Sequence, residues 1–323
     1  MAKTLYKTNY GKYVIGDTEK VLKGSLGDKL KGKVNLIVTS PPFPLNKKKK
    51  YGNRLGQDYK DWLVRMAKLF SDVLTDDGSI IIELGNSWEP NRPIQSTLGL
   101  EALLEFVNAE GANLRLCQQF VCYNPSRLPS PAQWVTVNRI RTIDSFTHVW
   151  WLSKSDYPKA DNRKVLRPYS KSMQNLLKRQ SYNSGVRPSE HKISKNSFLL
   201  NHNGSIMHNV LELEKIDEDR DLRLPHNMFS MSNTNSNDFF LNKCREVGIR
   251  PHPARMQPGL VSFFTDFLTD EGDIILDPFA GSNTSGYVAE KLKRNWVGIE
   301  IDEDYGKQSI LRFKDPELGA KVK

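Results

Sequence analysis

Residues 273–300 read DIILDPFAGSNTSGYVAEKLKRNWVGIE and contain the elements of a complete βαβ unit. Asp273-Ile274-Ile275-Leu276-Asp277 is a short apolar run of the kind buried on both faces of a parallel sheet. Pro278 to Gly286 cannot continue it: Pro278 donates no N–H, and Gly281 and Gly286 favour a turn. Val288, Ala289 and Leu292 then recur at helical spacing, and Trp296 to Glu300 returns to strand. Asp277 falls at the strand end, where ligands sit in open α/β sheets. Gly281 permits close backbone approach, while Ser282, Asn283 and Thr284 open a helix whose N–H groups can meet an anion. Glu300 lies about 20 residues on, placed to accept bonds from two ribose hydroxyls. The turn is not GxGxxG and no Walker lysine follows, so a nucleoside with a small charged tail fits better than a pyrophosphate. S-adenosyl-L-methionine is such a molecule. A glycine turn in any α/β protein is the plain alternative.

The neighbouring sequence supports a sheet of this type. Leu260, Val261, Phe263, Phe264, Phe267 and Leu268 mark a helix. Near the N-terminus, Tyr13 to Asp17 is a strand ending in Gly16-Asp17, and Asp17 can cap a helix running to about Leu22. Strands are also expected at 34–38, 79–84, 114–123 and 146–152, with helices at 58–74 and 97–109. The strand at 34–38 runs into Thr39-Ser40-Pro41-Pro42-Phe43. Consecutive prolines force the chain out of the sheet at Ser40 and leave a stiff ledge. That ledge offers one hydroxyl, carbonyls without competing N–H groups, and one aromatic ring. It suits a flat ring bearing an amino group, although five such residues alone read more simply as a proline turn.

The 323 residues include 47 Lys and Arg against 37 Asp and Glu, a net charge of +10 that favours a polyanionic partner, nucleic acid first. Four consecutive lysines, Lys47, Lys48, Lys49 and Lys50, follow the ledge directly. Three scattered cysteines give neither a disulfide framework nor a zinc motif. With no apolar run of membrane length and no apolar leader, a cytoplasmic location is expected. Between about Lys154 and Arg250 the hydrophobic periodicity fades, and Asn, Ser, Lys and Arg dominate, with a short helix expected at 171–179. After about Phe313 the polar tail is expected to fray.

An SPP(F/Y) tetrapeptide after a strand, joined to DPFxGSNT(T/S)G, resembles the amino-group DNA methyltransferases. The catalytic motif precedes the cofactor motif with a polar segment between, the order of the beta class. Serine at the head of Ser40-Pro41-Pro42-Phe43 resembles the cytosine-N4 enzymes of restriction-modification systems. Gly16-Asp17, Ile82 to Gly85, Asn124 to Pro131, Val149 to Lys154 and His252 to Arg255 extend the likeness to the PvuII-type modification methylases, over about residues 6–313. Asn283 stands where the general FxGxG motif has its last glycine, a form known in the N4 group. Leu211 to Met228 is an addition in the polar segment.

The resemblance implies a Rossmann-like, S-adenosylmethionine-dependent sheet with permuted motif order and a smaller irregular target-recognition region. Residues 1–153 and 251–323 would form the two parts of the catalytic domain, and 154–250 the recognition region. Ser40, Pro41, Pro42 and Phe43 would be catalytic. Asp17, Thr39, His252, Pro253, Ala254, Asp277, Phe279, Gly281, Ser282, Asn283, Thr284 and Glu300 would line the cofactor site, although His252 alone reads as a surface histidine. Lys47 to Lys50 with Arg163, Arg167, Arg179 and Arg187 would meet phosphates of double-stranded DNA. The implied activity is N4-methylation of cytosine, protecting DNA from a partner endonuclease without a stable complex, by a monomer or homodimer. Adenine-N6 methylation is the nearest alternative, and a DNA-binding specificity factor with a degenerate cofactor site the non-enzymatic one. Cytosine-C5 transfer needs a cysteine nucleophile, usually after proline, and Cys117, Cys122 and Cys244 do not follow one.

Overall fold

The computed structural model describes residues 2–43, 54–212, 239–252 and 255–323. In chain order the strands are β1 (Lys3–Lys7), β2 (Gly11–Ile15), β3 (Val34–Thr39), β4 (Leu74–Gly85), β5 (Arg115–Tyr123), β6 (Phe146–Ser153), β7 (Gly185–Val186), β8 (Lys192–Ile193), β9 (Val210–Glu212), β10 (Ile274–Asp277) and β11 (Asn295–Glu300). The helices are α1 (Thr18–Leu22), α2 (Ser25–Leu30), α3 (Gly56–Val73), α4 (Leu98–Val107), α5 (Lys171–Arg179), α6 (Phe239–Glu246), α7 (Pro258–Leu268), α8 (Thr284–Lys291) and α9 (Glu303–Ser309).

Among the described residues nine strands form one sheet in the order β1-β2-β11-β10-β3-β4-β6-β5-β9. From β2 to β4 every pairing is parallel, whereas β6 runs antiparallel to both β4 and β5. The ends of β2, β3, β4, β10 and β11 therefore lie on one edge, together with the chain leaving β5 and entering β6. β3 pairs with β10 through Leu36–Ile275 and Ile37–Leu276, so Ser40 and Asp277 emerge side by side.

Period-2 alternation explains the apolar runs. Ile37, Ile80 and Ile82 pack on one face with Leu63, Met66 and Phe70 of α3 and Phe106 of α4. Leu36, Val38 and Ile81 pack on the other with Leu260, Phe264 and Leu268 of α7 and Val288 of α8. Both faces are covered, as a parallel sheet requires.

The helix over 171–179 forms as expected, with Ser170 Oγ capping Met173 N–H. One strand was not foreseen and one expectation fails. β1 was not anticipated, because Lys-Thr-Leu-Tyr-Lys carries little apolar pattern; it pairs with β2, and Tyr6 stacks on Tyr13 at 5.2 Å between ring centroids. The tail is not frayed: Lys7 and Lys323 exchange two backbone hydrogen bonds of 3.1 and 2.9 Å, and Leu318 packs on the core. Glu290 of α8 fixes the N-terminal hairpin to the βαβ unit. Its carboxylate accepts from Thr8 Oγ1 at 2.7 Å, Asn9 N–H at 3.0 Å and Trp296 Nε1 at 2.8 Å.

Candidate active site

A cavity of about 480 Å³ opens on the C-terminal edge of the parallel strands, a size suited to a nucleoside-sized ligand. It collects residues more than 200 positions apart. Asp17, Ser40, Pro41, Pro42, Phe43, His252, Asp277, Phe279, Gly281, Ser282, Thr284 and Glu300 all line it. Pro253, Ala254 and Lys47 to Lys50 lie outside the described residues.

Two expected lining residues do not line it. Thr39 is 1% exposed and turns inward, donating its hydroxyl to Asp277 Oδ1 at 2.8 Å. Asn283 is fully buried, because it adopts a left-handed conformation (φ 56°) and caps α8, accepting from Gly286 N–H at 3.1 Å. Its amide also donates to Tyr6 Oη at 2.9 Å. Both residues support the cavity wall from behind.

The acids differ in what remains open on them. Asp277 accepts from Thr39 and Phe279 N–H (3.0 Å) on one oxygen and from Ser285 on the other. Burial outweighs these three bonds and leaves its carboxyl raised to about 6. Glu300 takes Ile301 and Asp302 N–H groups, each at 2.9 Å, on Oε1 and Gly281 N–H at 2.8 Å on Oε2. Oε2, with one hydrogen bond, retains accepting capacity, and Glu300 lines the cavity. The Gly281 N–H is thus committed to Glu300. Burial raises Glu300 above the ordinary carboxylate range. Asp17 caps α1 through Lys20 N–H at 3.0 Å. Thr284 Oγ1 is buried without a hydrogen-bond partner on the cavity wall, a polar atom that a ligand would satisfy.

The ledge has a partner that sequence reading missed. Glu83 of β4 is buried beside it and accepts hydrogen bonds from Ser40 and, at 3.1 Å, from Thr147 Oγ1. Burial lifts Glu83 above the usual range, while Thr147, Arg127 and Ser40 oppose the shift. The available signal was one acid inside the apolar run Ile80-Ile81-Ile82-Glu83-Leu84, since a fully buried carboxylate needs partners. Phe43 packs its ring against Gly85, where a Cβ would stand 2.5 Å from Phe43 Cε2. Trp62, Arg54, Arg255, Met256 and Tyr305 also line the cavity unanticipated, and Tyr305 meets His252 edge-on at 4.1 Å. The thiols of Cys117 and Cys122 are pushed up to about 11 and 12 by burial, and neither lines the cavity.

The expected phosphate-binding arginines lie outside the cavity and are exposed. Arg163 grips Asp161 through two 2.8 Å bonds, Arg167 meets His208 at 2.8 Å, and Arg179 and Arg187 bond the carbonyls of Ser181 and Asn183. No helix among the described residues is long and apolar enough to cross a membrane, and no cluster of metal-ligating side chains occurs among them.

Comparison with known proteins agrees with this geometry. Residues 34–311 match the N6/N4 methyltransferase family model, described as DNA methylase. The chain is 37% identical over 318 residues to the type II methyltransferase M.PvuII of Proteus hauseri, covering 98% of this chain and 87% of the relative. The solved PvuII DNA methyltransferase (cytosine-N4-specific) superposes with a TM-score of 0.72 at 31% identity, over 97% of this chain and 90% of that one. The crystal structure of M1.HpyAVI shares the fold, with a TM-score of 0.51 at 14% identity over 94% and 98% of the two chains. The chain with its ledge of Ser40 to Phe43 beside the Asp277–Glu300 cavity belongs to the DNA methylase family, whose Rossmann-like sheet it carries with the Ser40 strand ahead of the Asp277 strand.

Proposed function

We propose that this enzyme methylates the N4 amino group of cytosine in double-stranded DNA, with S-adenosyl-L-methionine as donor. The observation that carries the reading is the meeting of the Ser40 ledge and the nucleoside-type pocket in one cavity. The pocket fits the donor: Glu300 keeps a lone pair for ribose hydroxyls, Asp17 stands at the mouth for the adenine amine, and Thr284 offers an unsatisfied hydroxyl for the polar tail. Bound there, the donor supplies an electrophilic methyl group on a sulfonium.

The protein's part is orientation and polarisation of the amine. Ser40 donates its own proton to Glu83, which leaves its oxygen lone pairs directed at one N4 hydrogen. The Pro41 carbonyl accepts the other. These two bonds draw the nitrogen from planar toward tetrahedral geometry and free its lone pair for in-line attack. Phe43, held against Gly85, stacks on the flipped ring. The amine proton becomes acidic only as transfer proceeds. It can then pass through Ser40 to Glu83, whose carboxyl burial has already made easier to protonate.

Recognition is assigned to residues 154–250. Asn162 to His208 alone carry nine Lys and Arg against one Glu, most of the chain's net charge. Arg163, Arg167, Arg179 and Arg187, with Lys47 to Lys50, would contact phosphates. Pairing with a restriction endonuclease, as a separate protein, belongs to the same reading. Nucleoside analysis of DNA methylated in vitro tests it: N4-methylcytosine is expected, and N6-methyladenine as the sole product overturns the base assignment.

A further inference from the structure

The loop joining β5 to β6, residues 124–145, takes no part in the mechanism above. It is anchored at its base. Asn124 N–H donates to Ser145 O at 2.7 Å, and Arg141 donates to Pro93 O at 2.9 Å and Asp144 at 3.1 Å. The chain re-enters the sheet at Phe146-Thr147, and Thr147 is the residue that shares Glu83 with Ser40. The loop therefore rises from the floor of the catalytic ledge, on the same edge of the sheet. Pro125, Pro129 and Pro131 restrict its backbone, and one turn of π-helix at Gln133–Val137 is closed by Ile140 N–H to Trp134 O at 3.0 Å.

Its tip is apolar and turned to solvent: Leu128 is 80% exposed, Val137 69% and Ile140 59%. Such a cluster on an anchored loop marks an interaction surface. Its charge names the occupant. The one acid of residues 124–145, Asp144, is ion-paired with Arg141 at the base, and Arg139 lies between the exposed Val137 and Ile140. An apolar tip that carries Arg139 and no unpaired acid suits a polyanion with an apolar interior, which is the base stack of duplex DNA.

We propose that this loop is the wedge that opens the duplex, Val137 and Ile140 entering the stack beside the target pair while Arg139 meets an adjacent phosphate. The proposal rests on the base-methylating reading. In it, the wedge offsets the lost stacking while the cytosine occupies the Ser40 ledge.

The test first maps the methylated site with the wild-type protein; absence of any methylated cytosine would sink the underlying reading rather than the wedge. The double variant Val137→Ser/Ile140→Ser is then compared with wild type on two duplexes, one fully paired at the site and one with the target cytosine opposite an abasic position. We expect kcat/KM to fall at least about ten-fold on the paired duplex and to stay within about two-fold of wild type on the unpaired one. A fluorescent base analogue at the target should lose its enhancement with the variant. Val137→Met/Ile140→Met, which keeps the apolar bulk, should retain activity on both. Equal loss on both duplexes overturns the wedge, whether from misfolding or from a broken contact between two copies; undiminished activity on the paired duplex also overturns it.

Discussion

Ser40 and Arg179 are both polar groups with a proposed role on DNA, but the protein holds them differently. Ser40 ends a buried strand between two others, its hydroxyl is fixed by the buried Glu83, and two prolines remove the backbone freedom that follows. Arg179 ends an exposed nine-residue helix and bonds a nearby carbonyl, at Ser181. Methyl transfer depends on sub-ångström placement of one amine, so its groups sit where packing over-determines them. Phosphate contact is long-ranged and tolerant, so its groups can sit on long exposed side chains. In the proposed reading one region carries rate and the other affinity.

Ser40→Ala presses hardest on that division. Turnover should fall by roughly 10²–10³-fold, as for loss of one preorganised bond at a reacting centre. S-adenosylmethionine binding by calorimetry should be unchanged; kcat equal to wild type would mean that the hydroxyl is dispensable. Arg179→Ala combined with Arg187→Ala should do the reverse. DNA affinity should weaken similarly for specific and non-specific duplexes, and the slope of log K against log salt should flatten by about 2, with kcat at saturating DNA retained. An unchanged slope would remove these two arginines from the phosphate contacts.

The smallest effect concerns the buried floor. Burial raises the Asp277 carboxyl from the ordinary 3.8 to about 6. The folded state therefore holds this proton more tightly, and the stability it brings is lost as pH rises through 6. Asp277→Asn should gain on wild type by ~1 kcal/mol between pH 5 and 7, read as a melting difference of about 2 °C. A pH-independent difference would show that the carboxyl does not titrate in this range.

The division also explains what could be read before folding. Proline and glycine act locally, so the ledge and the Gly281 turn were visible in the sequence. Glu83 was missed as a partner because its link to Ser40 crosses two strands and obeys no period. Thr39 and Asn283 turn away from the cavity, and a motif gives residue types but not the side to which each turns. For Asn283 the left-handed cap turns the side chain back to Gly286 and Tyr6. The arginines of the polar segment were recognised by charge alone, and charge does not fix where a long side chain rests.

The sheet order has a consequence in time. β3 is made early on the ribosome, yet its partner β10 lies some 240 residues later, as the Thr39–Asp277 bond records. At about 5–20 residues per second, the catalytic strand waits tens of seconds with one edge open. The N-terminal hairpin waits as long for Glu290 and β11. The nascent chain can neither bind donor nor modify DNA until the last strands emerge, so a truncated translation product would be inert.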